Sequence, residues 1–412
     1  MSLLIINIEH VYTPDVQKGF GAVKELQNVH IFIKEGCIQR IFSSDEPLPT
    51  ADRTINAEGQ TVLPGFVDAH THPVFWLTRE DEFIMRVQGK SYEEIAAAGG
   101  GIRNSVRRFR EANKKDIKEV TRERLKRFIE YGTTTIEAKS GYGLSTNDEI
   151  KSLEIINELN DEEELDLIAT FLGAHEVPDE YQSERAEYIR LLKDEMIPLV
   201  AKRKLARYCD VFCEKNVFTV EESRDILLAG QQVGLGARVH ADELHPFGGA
   251  EMAAEIGAVT ADHLVQASDA GIEAMARAGV IPVLLPGTTF FLGKNDYVRA
   301  RKMIEAGCAV AVSTDFNPGS STTQNMQLMW TISALKLGML PGEILWATTI
   351  TPAKSLSLEE NIGSVEEGKQ ADLILLDIPN LNYLPYHYGV NHVVATIKKG
   401  KVVYERTEGL DL

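Results

Sequence analysis

Between residues 62 and 314, short β-branched and apolar runs alternate with longer stretches of helical spacing. The β-type runs are the stretch opening at Val62, then Thr133–Ala138, Leu167–Gly173, Tyr208–Cys213, Gly236–His240, Ala258–His263, Val280–Leu285 and Cys308–Thr314. Helical spacing occupies Asp116–Glu130, Asn147–Leu159, Val220–Val233, Ala270–Ala278 and Asn295–Ala306. Such alternation argues for parallel strands joined by crossover helices, and eight strands is the number that closes a (β/α)8 barrel. Both ends of the chain read differently, as short strands with Glu35-Gly36 and Lys399-Gly400 as hairpin turns. The terminal strands are expected at Leu3–Ile8, Val29–Lys34, Cys37–Phe42, Asp372–Asp377, His392–Lys398 and Lys401–Glu405. The expected fold is therefore α/β: a TIM-like (β/α)8 barrel over residues 62–357, with residues 1–61 and 358–412 joined into a small β-rich domain.

Chemistry is concentrated where these strands end. The stretch Val62-Leu-Pro-Gly-Phe-Val-Asp-Ala-His-Thr-His-Pro73 opens as a buried strand and closes on two histidines. Residues two apart on a strand face the same side, so His70 and His72 can aim two imidazoles at one point. Imidazole suits zinc, iron or nickel, and a catalytic metal site typically takes three protein ligands plus an open position. Of the ten histidines in the chain, His70, His72, His175, His240, His245 and His263 sit at or just past expected strand ends. In a barrel that rim carries the active site. The segment Arg79–Asn113, with Gly99-Gly-Gly101 inside it, is too long for an ordinary connection and reads as an excursion covering substrate. The carboxylate run Asp161–Glu164 reads as a solvated turn.

A net charge of −18 argues against nucleic-acid and anionic-membrane partners, leaving a small-molecule substrate. An anionic one remains open, since a local arginine can override the global field. Four cysteines, Cys37, Cys209, Cys213 and Cys308, lie in apolar settings without a Cys-x-x-Cys pair, as expected of buried thiols in a reducing compartment. No basic-then-apolar leader opens the sequence and no apolar run spans a bilayer, so a cytoplasmic protein is expected.

The Val62–Pro73 stretch resembles the first-strand motif of the amidohydrolase superfamily, metal-dependent hydrolases built on a (β/α)8 barrel, and Gly363–Leu373 is similar to that superfamily's return into its small β domain. The resemblance implies His70, His72, His240 and Asp315 as ligands of one divalent metal, zinc or iron. It implies Asp315 as proton acceptor as well, and Glu243, in a His-x-x-Glu arrangement after His240, as proton shuttle. His263 is read as an electrophilic or supporting group rather than a ligand. A two-metal site would need a bridging lysine; the local candidate, Lys215, reads better as an exposed loop residue.

A narrower likeness rests on Lys139-Ser-Gly-Tyr-Gly-Leu144, Phe171-Leu-Gly-Ala-His-Glu-Val-Pro178, His240-Ala-Asp-Glu243, Asp315-Phe-Asn-Pro-Gly-Ser320 and Arg79. Together these resemble the imidazolonepropionase family. That likeness implies substrate contacts from Arg79, Tyr142, His175, Glu243, Asn317, Gly319 and Ser320, and family habit implies a homodimer. The implied reaction opens the cyclic amide of 4-imidazolone-5-propanoate with water to give N-formimino-L-glutamate. Two other readings stand beside it. An aminohydrolase of guanine- or cytosine-like rings would share the metal set but have no use for a carboxylate clamp, and an inert barrel would need neither.

Overall fold

The computed structural model describes residues 2–90, 94 and 99–406. Residues 91–93 and 95–98 of the long excursion therefore lie outside the described residues. Two eight-stranded sheets make up the β structure. The first is the terminal one: β1 (Ser2–Pro14), β2 (Val23–Lys34), β3 (Cys37–Ser43), β4 (Arg53–Asn56) and β5 (Thr61–Pro64) pair with β14 (Leu373–Leu376), β15 (Val393–Lys398) and β16 (Lys401–Glu405). Its order is β16-β15-β14-β5-β1-β2-β3, with β4 on β1, so both ends of the chain share one sheet as expected. Both hairpins use the expected residues. Glu35 and Gly36 have φ of 54° and 81°, and Lys399 and Gly400 have 48° and 73°, the left-handed pair that matches strand twist in a two-residue loop.

The second sheet holds β6 (Phe66–Asp68), β7 (Thr133–Lys139), β8 (Asp166–Ala174), β9 (Tyr208–Cys213), β10 (Gly236–Ala241), β11 (Thr260–His263), β12 (Ile281–Leu284) and β13 (Ala311–Val312). They run parallel and in sequence order. Every residue of β7 is buried, as expected where helices cover one face and barrel interior the other. The last and first strands meet beyond their ends. His72 N–H donates to the Phe316 carbonyl at 2.8 Å and Asp315 N–H to the His70 carbonyl at 3.1 Å. Asp68 reinforces the seam, accepting from Thr314 N–H at 3.1 Å and Thr314 Oγ1 at 2.6 Å; burial pushes its carboxyl up to about 7.

Two expectations change. The Val62–Pro73 stretch is not one strand: Thr61–Pro64 pairs with β1 and β14 in the terminal sheet, and Gly65 separates it from β6. A Cβ at Gly65 would stand 2.4 Å from the Thr134 side chain, so only glycine lets the chain cross there. The Asp161–Glu164 run is largely exposed, as expected, but it begins in the helix that ends at Glu162 rather than in a turn, and it carries surface ion pairs. Glu162 pairs with Lys118 and Arg122, Glu163 with Arg122 and Glu164 with Lys401. Five helix starts follow the capping rule: Asn113, Ser145, Thr219, Ser268 and Asn325 each accept a backbone N–H of the turn they open. Cys209, Cys213 and Cys308 are buried free thiols, and Cys37 is half-buried and free. Among the described residues no helix is long and apolar enough to cross a membrane.

Candidate metal centre

The carboxyl ends of β6, β10, β11 and β13 converge on one buried point. His70 donates from Nδ1 to Asp262 Oδ2 at 2.6 Å, and His240 from Nδ1 to Asp210 Oδ1 at 3.1 Å. A ring nitrogen that donates to a carboxylate leaves the other one as a lone pair, which is how ligand histidines are held. His240 Nε2 is buried with no partner among the described residues. His70 Nε2 and His72 Nε2 stand 3.3 Å apart, and Asp315 Oδ1 is 3.5 Å from each. Burial holds the His70 imidazole well below its ordinary range and brings His240 down to about 4, so both rings are neutral. Burial works against the Asp315 carboxylate, but the His72 hydrogen bond and the His263 and His72 rings outweigh it and hold the group at about 2. Its second oxygen accepts from Thr288 Oγ1 at 2.5 Å.

These donors fit a divalent ion. Tetrahedral ligands at about 2.0–2.2 Å from a metal stand about 3.3–3.6 Å from one another, which covers the separations among His70, His72 and Asp315. Ligating atoms of His70, His72 and His240 all lie within 4.8 Å of one another, as do those of His70, His263 and Asp315. The backbone is bent to reach this point: His263 and Asp315 have φ of 73° and 53°, left-handed values uncommon outside glycine and concentrated at functional sites.

The family model for the amidohydrolase family matches residues 61–403. An imidazolonepropionase of Geobacillus kaustophilus (strain HTA426) is 47% identical over 396 residues, covering 95% of this chain and 93% of its own. One from Alkaliphilus metalliredigens (strain QYMF) is 42% identical over 416 residues, covering 98% and 99%. This chain belongs to the imidazolonepropionase family of amidohydrolases. Solved structures agree on the fold: a 5-methylcytosine deaminase from Klebsiella pneumoniae superposes with a TM-score of 0.76 at 18% identity, covering 99% of this chain and all of that one. The E. coli guanine deaminase gives 0.72 at 15%, again covering 99% of this chain and all of its own. At such identities the likeness concerns the fold alone.

Around the centre of this amidohydrolase barrel lie the other residues singled out in the sequence. The Glu243 carboxylate is 3.7 Å from His263 Nε2, and burial pushes it above its ordinary range. His175 stacks on His72, with ring centroids 5.3 Å apart, and donates from Nδ1 to the Gly141 carbonyl at 2.9 Å. Tyr142 is buried edge-on to both rings, at 5.6 Å from His175 and 6.3 Å from His72, and burial raises its hydroxyl. The Asn317 side chain is spent within its own loop: Oδ1 accepts from Gly319 and Ser320 N–H, both at 2.8 Å, and Nδ2 donates to the Asp315 carbonyl and Ser320 Oγ. Arg79 packs on that loop, since a Cβ on Gly319 would stand 2.4 Å from its Nη1. Its Nε and Nη2 already donate to Glu82, at 2.9 and 2.5 Å. His245 is half exposed, held by Glu214 away from the convergence point, and Lys215 is exposed.

Several supporting groups escaped the sequence reading. Arg124 donates to the carbonyls of Pro73, Phe75 and Trp76, fixing the chain just after His72. Glu149 takes the N–H groups of Gly141, Gly143 and Leu144 and so shapes the loop presenting Tyr142. Glu137, Lys139, Asp210, Arg238 and Asp262 are fully buried charges beneath the histidines. The available signal was their spacing: Glu137 and Lys139 alternate on one strand, as do Arg238 and His240 on another.

Proposed function

We propose that this chain hydrolyses the cyclic amide of 4-imidazolone-5-propanoate to N-formimino-L-glutamate, a step of histidine degradation, using one divalent metal, zinc or iron. The observation that carries the reading is the buried group His70, His72, His240 and Asp315 in a chain 47% identical to an imidazolonepropionase over 95% of its length. When bound, the ion supplies Lewis-acid activation of water and of the ring carbonyl. Asp315, anionic at neutral pH, accepts the proton of the attacking water. Glu243, whose raised proton affinity suits a shuttle, delivers it to the departing ring nitrogen. His263, beside Glu243, donates toward the oxygen on which charge develops. Tyr142 and His175 form the wall on which the flat ring rests, and the Asn317–Ser320 loop offers main-chain groups and the Ser320 hydroxyl. Arg79 binds the propionate.

Residues 62–357 are offered as the hydrolase unit and 1–61 with 358–412 as the β-rich unit; strand Thr61–Pro64 crosses that division. A cytoplasmic homodimer, from family habit, completes the proposal and is testable by light scattering; the net charge of −18 speaks against nucleic-acid and anionic-membrane partners. The decisive assay pairs imidazolone propanoate with a panel of purines and pyrimidines. Turnover of the first supports the assignment, and turnover of the bases alone would replace it with a deaminase.

A further inference from the structure

Beneath the histidines, Lys139 closes a link that the ligands themselves do not make. Its Nζ donates to Glu137 Oε1 and to Asp210 Oδ2, both at 2.7 Å, and lies 3.8 Å from Asp262 Oδ2. Asp210 orients His240 through its other oxygen, and Asp262 orients His70. One ammonium thus ties together the carboxylates behind two of the proposed metal ligands. Arg238, buried beside it, also acts on Asp262 through space but does not bridge the two carboxylates: it donates to the carbonyls of Ser355 and Ala69, and the acid it approaches as an ion pair is Glu137, at 3.8 Å.

We infer that Lys139 is a positioning residue of the metal centre: its ammonium fixes Asp210 and Asp262, and through them the tilt and tautomer of His240 and His70, and so sets the affinity for the ion. The inference rests on the metal reading above. The physical reason is that two carboxylates sharing one dry interior repel each other strongly. Without the ammonium bridging them, each would turn away from its neighbour, and that movement alters the hydrogen bond that aims a ring. Groups one step behind metal ligands typically carry 10–100-fold in affinity. Lys139 serves two such groups at once.

A matched control exists in the same molecule. Lys398 is equally buried, at 1% exposure, between Asp372 at 2.7 Å and Asp166 at 2.8 Å. Asp166 opens β8, however, so this ammonium lies at the end of the barrel opposite the histidines and joins it to the terminal sheet. The experiment strips the parent, Lys139→Met and Lys398→Met of metal and titrates each with Zn2+ against a chromophoric chelator. The parent is expected to bind one zinc per chain, Lys139→Met to bind it about 10–100-fold more weakly, and Lys398→Met to match the parent. Parental affinity in Lys139→Met overturns the inference, as does an equal loss in Lys398→Met, which would mark a general effect of a lost buried cation. A parent that binds no zinc or iron overturns the metal reading instead. Should Lys139→Met not fold, Lys139→Met/Asp210→Asn, which removes one charge of each sign, replaces it, with Asp210→Asn as reference. The pair must bind zinc more weakly than the reference; equal affinities overturn the inference.

Discussion

Arg79 is the proposed reader of the substrate carboxylate, yet Glu82 already holds two of its nitrogens. That pairing gives a prediction sharper than simple loss of a cation. Glu82 is itself tied down, because its other oxygen accepts Gly101 N–H at 3.0 Å, so it stays in place when the arginine is removed. Arg79→Met therefore does two things: it deletes a charge-assisted hydrogen bond to the propionate, worth about 1.5–3 kcal/mol, and it leaves an unpaired carboxylate beside an incoming anion. At about 1.4 kcal/mol per tenfold, the first effect alone lowers kcat/KM by roughly tenfold to over a hundredfold. The second adds to it and is removed by neutralising Glu82. Arg79→Met/Glu82→Gln should accordingly be more active than Arg79→Met, an opposite-sign coupling that a double-mutant cycle measures directly. The assay compares kcat/KM on imidazolone propanoate and on an imidazolone without the side chain, with metal content checked in every variant. Equal losses on the two substrates would refute the assignment, because a group that reads a carboxylate cannot matter when none is present. Arg86, which donates to the Gly319 carbonyl at 3.1 Å and lies over Phe291, would then be the next anchor to test.

His240→Ala should lose stoichiometric metal and turnover together, read by elemental analysis beside the activity assay. Glu243→Gln should keep its metal while kcat falls by roughly two orders of magnitude, within the usual range for general acid–base help; parental kcat would remove Glu243 from the mechanism. Chelation of the ion should lower Tm, since zinc at 100 times its Kd contributes about 2.7 kcal/mol, and an unchanged Tm would count against a bound ion. Asp166 supplies a pH test: burial raises its carboxyl, but Lys398 and Lys399 outweigh this and hold it below its ordinary range. A depressed carboxylate contributes stability that is present above about pH 4 and lost as pH falls further. Asp166→Asn should therefore lower Tm at pH 7, with the gap to the parent narrowing below about pH 4 in thermal melts.

What the sequence made legible followed from periodicity and from polar residues where strands end. Eight β-type segments alternating with helical ones give the barrel, and Glu35-Gly36 and Lys399-Gly400 give the hairpins. His70, His72 and His240 stood out because several histidines gather at the ends of separate strands, whereas Asp315 entered only through the family resemblance. The break at Gly65 was not legible. The residues on either side of it are equally apolar, and whether Thr61–Pro64 pairs with the barrel or with β14 depends on partners more than three hundred residues away. The run at Glu162–Glu164 is exposed as read, but its surface ion pairs were not legible for a similar reason: the cations, Lys118, Arg122 and Lys401, are distant in sequence. Arg79 shows a third limit. Its place near the rim was readable, but nothing in the sequence singled out Glu82, one helical turn on, as its partner.

The buried charges escaped notice because charged residues are almost never fully buried unless paired, and no pairing can be read from one strand alone. Glu137 and Lys139 look like a polar interruption in β7 until Asp210 and Asp262 are brought alongside from β9 and β11. Once assembled, the group explains its own cost. Glu137, Asp210, Asp262 and Asp315 outnumber Lys139 and Arg238 in this buried region, with the carboxyls of Asp68 and Glu243 close by. An apolar core of the same volume would fold at least as well without them, since buried ion pairs rarely stabilise more than well-packed hydrophobes. An excess of carboxylates suits a divalent cation, and the imidazoles of His70, His72 and His240, gathered within 4.8 Å, supply the place. The acidic interior therefore accords with a divalent-metal site at the histidines, where a cation would offset the carboxylates packed beneath it.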